Sequence, residues 1–450
     1  MKIIDRRNFL GNTAKIAVAA TAFPLYSFAN DKLKPLKKTK LALVGTGSRG
    51  TYTWGKPVIE TYKDYVEMVA ICDINPKRMV ASKSVLGIDA KMYEAKDFDL
   101  MIQETKPDIV IVTTTDCFHE LYIVRALELG CNVISEKPIA IDAIQCQRIA
   151  DAENRTGNKV FVGFNVRHMN ESIEMKKILM SGELGKIIAV EYQEYLNTSH
   201  GADYYRRWHG KKKYSGSLLL HKASHQFDLV NWLLDAEPID VQAIGKLAFY
   251  GHNNNYRGRN CRACIFTNKC KFYWDMTKDK MCMSFYGNCE DVDGYYRDGC
   301  VWENEIDSYD TSAVQVNYNN GTQLSYTMNT FLPFEGQLIS FSGENGRLDV
   351  RLNAQQPWEV SSEIEFRLTK DKETTRSWKL KTSSGGHGGA DERLKDTIFL
   401  PAAADPLGSK AGSRAGIMSS LIGIAARTSI ESGQRVKIAD LVTLPRTWNG

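Results

Sequence analysis

A chain of 450 residues with 43% apolar and 25% charged side chains is too long for one ordinary core and falls in the soluble globular range, so two domains are expected. No apolar run reaches the roughly 18 residues that a membrane-spanning helix needs. A net charge of +5, with bases and acids interleaved, leaves no nucleic-acid footprint and points to a small-molecule partner.

The chain opens on Asp5-Arg6-Arg7-Asn8-Phe9-Leu10, followed by an apolar stretch from Ile16 to Phe28, with small residues at Ser27 and Ala29 as a signal peptidase requires. The paired arginines before Phe9 and Leu10 resemble a twin-arginine export signal, so residues 1–30 are expected to be a signal peptide and the mature protein periplasmic or otherwise exported. An ordinary secretory signal is the competing reading. No cysteine precedes Cys72, which argues against a lipidated N-terminus. Free dinucleotide is scarce outside the cytoplasm, and the twin-arginine route carries folded, loaded proteins. A dinucleotide enzyme with this signal is therefore expected to hold its cofactor tightly.

After a basic linker at Asp31 to Thr39, the apolar runs KLALVGTG, VEMVAICD, DIVIVTTT, NVISEKP and KVFVGFN alternate with helical-period segments such as Phe118 to Leu129 and Asp142 to Asn154. Buried runs alternating with helices predict an α/β domain over residues 38–163, a doubly wound Rossmann-type parallel sheet covered on both faces. Gly45-Thr46-Gly47-Ser48-Arg49-Gly50 follows the first run as G-x-G-x-x-G, and Asp73 ends the next run 23 residues beyond Gly50. That pattern predicts a dinucleotide site. The glycines give the turn and the close approach of pyrophosphate, the helix start supplies positive potential, and Asp73 hydrogen-bonds the ribose hydroxyls. Asp73 favours NAD, because its carboxylate repels a ribose phosphate, whereas Arg49 and Arg78 leave NADP open.

From residue 164 to 450 the texture changes. KIIAVEYQEYL, TSAVQVNYNN, TQLSYTMNTF and QLISFSGENGRLDV recur with Asn-Gly turn signals, and helical pieces fall at Glu171 to Met180, Ser224 to Leu234 and Ala411 to Ser432. A C-terminal α+β substrate domain with a large, mostly antiparallel sheet is expected, and such an open sheet could pair two copies in a homo-oligomer.

Together with Glu136-Lys137-Pro138 at the end of a strand run, these features resemble the Gfo/Idh/MocA oxidoreductase superfamily over nearly all of the mature chain. The resemblance places Lys137 beside the nicotinamide and the substrate hydroxyl, with Glu136 in the cofactor site. The segment Ser215-Gly-Ser-Leu-Leu-Leu-His221-Lys-Ala-Ser-His225 resembles the family's histidine helix, and His225 falls on the residue that exchanges the hydroxyl proton. Imidazole suits that task because its pKa lies near neutrality. His221 stands where the family has an acid, which removes the expected carboxylate partner. At i and i+4 of one helix the two histidines could instead share a metal. Asn165 and Arg167 resemble the family's junction segment and are expected at substrate or cofactor, and His387, flanked by glycines, resembles a segment of the superfamily's NAD-dependent glycosidases. The stretch Tyr204 to Trp208 reads equally as a sugar-stacking platform or a surface helix.

Six of the ten cysteines lie in an expected insertion at 255–300, beginning Cys261-x-x-Cys264-x5-Cys270. Disulfides, a structural metal on Cys261, Cys264 and Cys270, and free thiols are all compatible with that spacing. The function implied by the resemblance is hydride transfer between NAD(P) and a sugar carbon, with Lys137, His225 and His221 as catalytic candidates. A redox-assisted glycosidase is the alternative, and no membrane span or nucleic acid is involved.

Overall fold

Six apolar segments form one parallel sheet: β1 (Thr39–Val44), β2 (Val66–Asp73), β3 (Lys91–Glu94), β4 (Ile109–Val112), β5 (Asn132–Ser135) and β6 (Val160–Val162). In the computed structural model, which describes residues 37–355, 363–372, 374–381, 385–400 and 403–444, they run in the order β3-β2-β1-β4-β5-β6. The export signal expected at residues 1–30 lies outside the described residues. Alternation along the strands explains why they read as continuous apolar runs. Leu41, Leu43, Ile71, Ile111 and Ile134 point to one buried cluster with Trp54 and Val58, while Ala42, Val44, Ala70, Val110 and Val133 point to the other. Both faces are therefore covered, as expected.

The covering helices are α1 (Lys56–Thr61), α2 (Pro76–Leu86), α3 (Phe98–Thr105), α4 (His119–Glu128) and α5 (Ala143–Thr156). Their ends follow local chemistry. Asn75 and Asp142 cap α2 and α5 by accepting from the backbone N–H of Arg78 and Gln145, and Gly87 and Gly157 end those helices in the left-handed region. A π-helical turn, Gly50–Gly55, runs into α1 and carries Trp54 inward. The strand order reverses between β1 and β4, which opens a crevice at the carboxyl ends of these strands.

The second sheet comprises β7 (Ile187–Asn197), β8 (Pro238–Lys246), β9 (Thr311–Tyr318), β10 (Gln323–Leu332), β11 (Glu335–Gly343), β12 (Gly346–Gln355), β13 (Glu363–Thr369), β14 (Thr375–Lys381) and β15 (Val436–Lys437). Their order is β14-β13-β12-β11-β7-β10-β9-β8-β15, antiparallel throughout except for the parallel pair β7 and β10. One face is apolar with period two, as in Leu324, Tyr326 and Met328 of β10. Helices α6 (Asn170–Met180), α7 (Thr198–Tyr205), α8 (Lys212–Ser215), α9 (Leu218–His221) and α10 (Ser224–Leu234) follow in the chain. The insertion holds α11 (Lys280–Phe285) and α12 (Glu290–Asp293), and α13 (Ala390–Phe399) and α14 (Ser413–Ser432) come before β15. α14 packs on β8, α10, β6 and α5, so the joint near residue 163 lies inside one compact unit rather than at a hinge between separate bodies.

Two expectations are corrected here. All ten cysteines are free thiols, so the insertion is not stapled by disulfides. His221 and His225 do not share one helix, because the chain breaks at Lys222 and Ala223 between α9 and α10. No helix among the described residues is long and apolar enough to cross a membrane.

Candidate active site

The glycine loop is built by close approach. Gly45 has φ +90°, and a Cβ there would stand 2.7 Å from the Thr113 carbonyl; one on Gly50 would stand 2.1 Å from the Gly45 oxygen. A Cβ on Gly47 meets only the Tyr286 hydroxyl, at 3.4 Å, so this side of the loop is the side open to a ligand. Asp73 buttresses the loop from β2. One carboxylate oxygen accepts from the Thr46 N–H and hydroxyl at 2.7 and 2.9 Å, and the other from the Asn75 N–H at 2.9 Å and Arg78 at 3.2 Å. Arg78 also reaches Asp293 at 2.6 Å and the Phe285 carbonyl at 3.1 Å. The insertion thus lies against the loop. Its Tyr286 hydroxyl accepts from the Ser48 N–H at 3.0 Å and donates to the Ser48 hydroxyl at 2.9 Å.

Lys137 follows β5, and its Nζ donates to the His221 carbonyl at 2.6 Å. Burial pulls this ammonium down to about 8, against the opposing pull of Asp116 and Glu136. His221 Nδ1 meets Asp116, just beyond β4, at 2.7 Å. Burial disfavours charge on both partners, lowering His221 and raising Asp116. The carboxylate missing at position 221 is supplied from the opposite side of the crevice. Packed against the His221 ring are His209 at 4.2 Å, Trp208 at 5.5 Å and Tyr204 at 5.6 Å, measured between ring centres, so the Tyr204 to Trp208 stretch is a wall of the site rather than a surface helix.

His225 lies edge-on to Phe164 at 6.0 Å, and its buried Nδ1 has no hydrogen-bond partner among the described residues. Burial first, then the cations Lys137 and Lys222, hold its pKa well below the usual imidazole value. His225 is therefore neutral at neutral pH, the form in which a general base must start. Lys222 in turn pairs with Glu194 at 3.4 Å, and burial of Glu194 raises its carboxyl pKa.

A polar chain joins the two halves of the site. Glu136 accepts from Arg49 and from the Trp54 indole, both at 2.6 Å. Burial alone would raise the Glu136 carboxyl, but Arg49, Trp54 and Lys137 together bring it below its usual value. Arg49 stands 3.9 Å from Asp391, which accepts from Asn165 at 2.7 Å and meets His387 at 2.8 Å. His387 is half-exposed, in a left-handed turn at φ +48°. Asn165 and His387 are thus brought to the site through Asp391.

Arg167 is a correction. In place of a substrate contact, its guanidinium makes a two-point ion pair with Asp228 at 2.6 and 2.7 Å, buried on both sides and lying over Trp232. It is a strut between the junction turn and α10. Breaking a buried pair strands the remaining charge, so Arg167→Ala is expected to destabilise the fold by about 3–5 kcal/mol, read as a lowered urea midpoint. A loss within a few tenths of a kcal/mol would contradict that role.

Sequence reading missed Asp116, His209, Tyr286 and Asp391. Asp116 carried a usable signal, an acid just past the carboxyl end of a central parallel strand. His209 and Tyr286 carried none, because only the tertiary fold brings them to the site. The histidine-pair metal reading is not supported: Asp116 occupies His221 Nδ1, and among the described residues no group of three or more His, Cys, Asp or Glu side chains is placed to hold a single ion.

A family profile described as an oxidoreductase family with NAD-binding Rossmann fold matches residues 39–164, and its companion, the C-terminal alpha/beta domain, matches residues 176–438. YteT of Bacillus subtilis (strain 168), an oxidoreductase by name, is 31% identical over 426 residues, covering 89% of this chain and 98% of its own. An inositol 2-dehydrogenase of Salmonella typhimurium (strain LT2) is 31% identical over 173 residues, 38% of this chain and 48% of that protein. Among solved structures, the WlbA dehydrogenase of Bordetella pertussis, in complex with NADH and UDP-GlcNAcA, superposes with a TM-score of 0.63 at 19% identity, over 90% of this chain and 99% of that one. The aldose-aldose oxidoreductase of Caulobacter crescentus, complexed with glycerol, gives 0.60 at 16% identity, over 89% and 100%. At these identities the two structures share the fold.

Proposed function

The chain belongs to the Gfo/Idh/MocA oxidoreductase family, whose N-terminal domain binds NAD, and on that premise we propose that it is a dehydrogenase acting at a hydroxyl-bearing carbon of a sugar or cyclic polyol. The observation that carries this reading is the meeting of the Lys137 ammonium, the neutral His225 and the Asp116–His221 pair at the carboxyl edge of the parallel sheet, beside the glycine loop. The names of relatives that act on inositol and aldose agree with it.

Gly45, Gly47 and Gly50 would line the dinucleotide, with Asp73 behind the loop. Bound nicotinamide supplies a hydride acceptor. His225 takes the hydroxyl proton, and Lys137 stabilises the negative charge that develops on that oxygen. Asp116 orients His221, whose carbonyl fixes Lys137. The Trp208 and Tyr204 rings exclude water from one side and offer apolar faces to a sugar ring.

NAD is favoured over NADP because neither arginine is free. Arg78 is shared between Asp73 and Asp293, and Arg49 pairs with Glu136. The export signal expected at residues 1–30 supports a cofactor that stays bound. The test is to denature the purified full-length protein, identify released dinucleotide by mass spectrometry, and follow its reduction in the native protein with a panel of sugars and inositols. Release of NAD and reduction by a polyol are expected. Absence of any dinucleotide, with activity only on adding it in excess, contradicts tight binding.

Lys137 also sets a pH dependence. Because the cation does the work, the rate of hydroxyl oxidation is expected to fall as pH rises through about 8, where this ammonium loses its proton. Lys137→Ala should be slow and free of that fall. A wild-type rate that instead rises through this range would make Lys137 a neutral base.

A further inference from the structure

We propose that Asp293, carried by the 255–300 insertion, makes the protein reject NADP by engaging Arg78, the arginine that would otherwise pair with the ribose 2′-phosphate. The inference rests on the dinucleotide reading above and concerns which dinucleotide that site accepts.

In a doubly wound sheet the two dinucleotides are told apart at the end of the second strand. An acid there takes the ribose hydroxyls of NAD, and a nearby arginine accommodates the phosphate of NADP. Both kinds of residue are present. Asp73 ends β2, and Arg78 lies in the first turn of α2, whose N-terminus adds positive potential. Taken alone, these two side chains cancel in charge.

The insertion changes that balance. Arg78 donates from Nη2 to Asp293 at 2.6 Å, from Nε to the Phe285 carbonyl at 3.1 Å and from Nη1 to Asp73 at 3.2 Å. All three guanidinium nitrogens are engaged, two of them by the insertion. The Arg78 and Asp293 side chains are each only 9% exposed, so water screens the pair little.

Asp293 is itself held in place. The oxygen that meets Arg78 also accepts from Asn75 Nδ2 at 3.0 Å, and the other accepts from the Tyr295 N–H at 3.1 Å. Asn75 Nδ2 donates as well to the Cys289 carbonyl at 2.9 Å, and the Phe285 ring packs on Tyr52 at 5.5 Å. The carboxylate is therefore set by the docking of the insertion on the start of α2.

With Asp73 and Asp293 against one Arg78, this edge of the site carries a net negative charge. The neutral hydroxyls of NAD tolerate that charge, whereas a phosphate dianion meets repulsion and a guanidinium already engaged. A neighbouring pair gives the contrast. Lys77 meets Asp291 at 2.6 Å, but those side chains are 52% and 65% exposed, and a pair so open to water is screened and weak. Asp291 has little part in the selection.

The experiment reads dinucleotide content and affinity, and it does not depend on turnover. Full-length wild type, Asp293→Ala, Asp293→Asn and Asp291→Asn are expressed in one host, and the NAD and NADP released on denaturation are quantified by mass spectrometry. The same proteins, stripped on charcoal, are titrated with each dinucleotide. Wild type is expected to carry and prefer NAD. Asp293→Ala should raise affinity for NADP relative to NAD by about 10–100-fold, as the loss of one little-screened charge implies. Asp293→Asn should give a smaller gain, because it removes the charge but keeps an acceptor for Arg78. Asp291→Asn should stay within about twofold of wild type. Adding Arg78→Ala to Asp293→Ala should cancel the gain, which simple loosening of the insertion would not do. Unchanged selectivity in both Asp293 variants, a gain that survives Arg78→Ala, or a wild type that binds both dinucleotides equally would overturn the inference alone. A wild type that binds neither would overturn the dinucleotide reading and the inference with it. If Asp293→Ala does not fold, the isosteric Asp293→Asn decides it.

Discussion

Lys137→Ala and His225→Ala are each expected to lower turnover by about 10²–10⁴-fold while leaving bound dinucleotide in place. Lys137 is held by the His221 carbonyl at 2.6 Å, in a buried setting where its charge acts on a developing oxyanion with little screening by water. His225 is kept neutral by burial and by the neighbouring cations, so it is ready to accept a proton without first losing one. Neither side chain hydrogen-bonds the glycine loop, so cofactor content should be preserved. Near-normal turnover in His225→Ala across the pH range would move the base to His221, whose Asp116 contact makes it the next candidate, or to His387.

Gly47→Asp is expected to abolish dinucleotide binding in a folded protein. The new Cβ has room, meeting only the Tyr286 hydroxyl at 3.4 Å, but the carboxylate enters the space that pyrophosphate must occupy. Gly50→Ala is the contrasting case. Its Cβ would lie 2.1 Å from the Gly45 oxygen, a backbone clash that distorts the loop and should lower stability as well as binding. Cofactor content by mass spectrometry, read beside the urea midpoint, separates the two effects. Retained dinucleotide in folded Gly47→Asp would refute the assignment of this loop.

The first domain was legible because its strands are buried on both faces and so stand out as apolar runs. The exception is β3, where Tyr93 alone among Lys91–Glu94 is buried, too little apolar character to mark a strand. The break between His221 and His225 was not legible. The local sequence supports a continuous helix, yet Gly216 at φ +69° and Ser217 at φ +120° launch a short one, and Lys222 turns toward Glu194. Arg167 was misassigned for a similar reason: its partner Asp228 lies 61 residues away. Lys137 and the glycine loop could be read because their chemistry is local, whereas Asp116 and His221 become a pair only across 105 residues.

The most direct test of the account is isotope transfer to the enzyme's own cofactor. Purified full-length protein is mixed with a sugar or inositol that reduces the bound nicotinamide, deuterated at the oxidised carbon, and the released dinucleotide is analysed by mass spectrometry and NMR. The account predicts one deuterium at C4 of the nicotinamide, a matching keto product, and loss of both in Lys137→Ala. Deuterium appearing in solvent, with the nicotinamide unlabelled while a keto product forms, would contradict it.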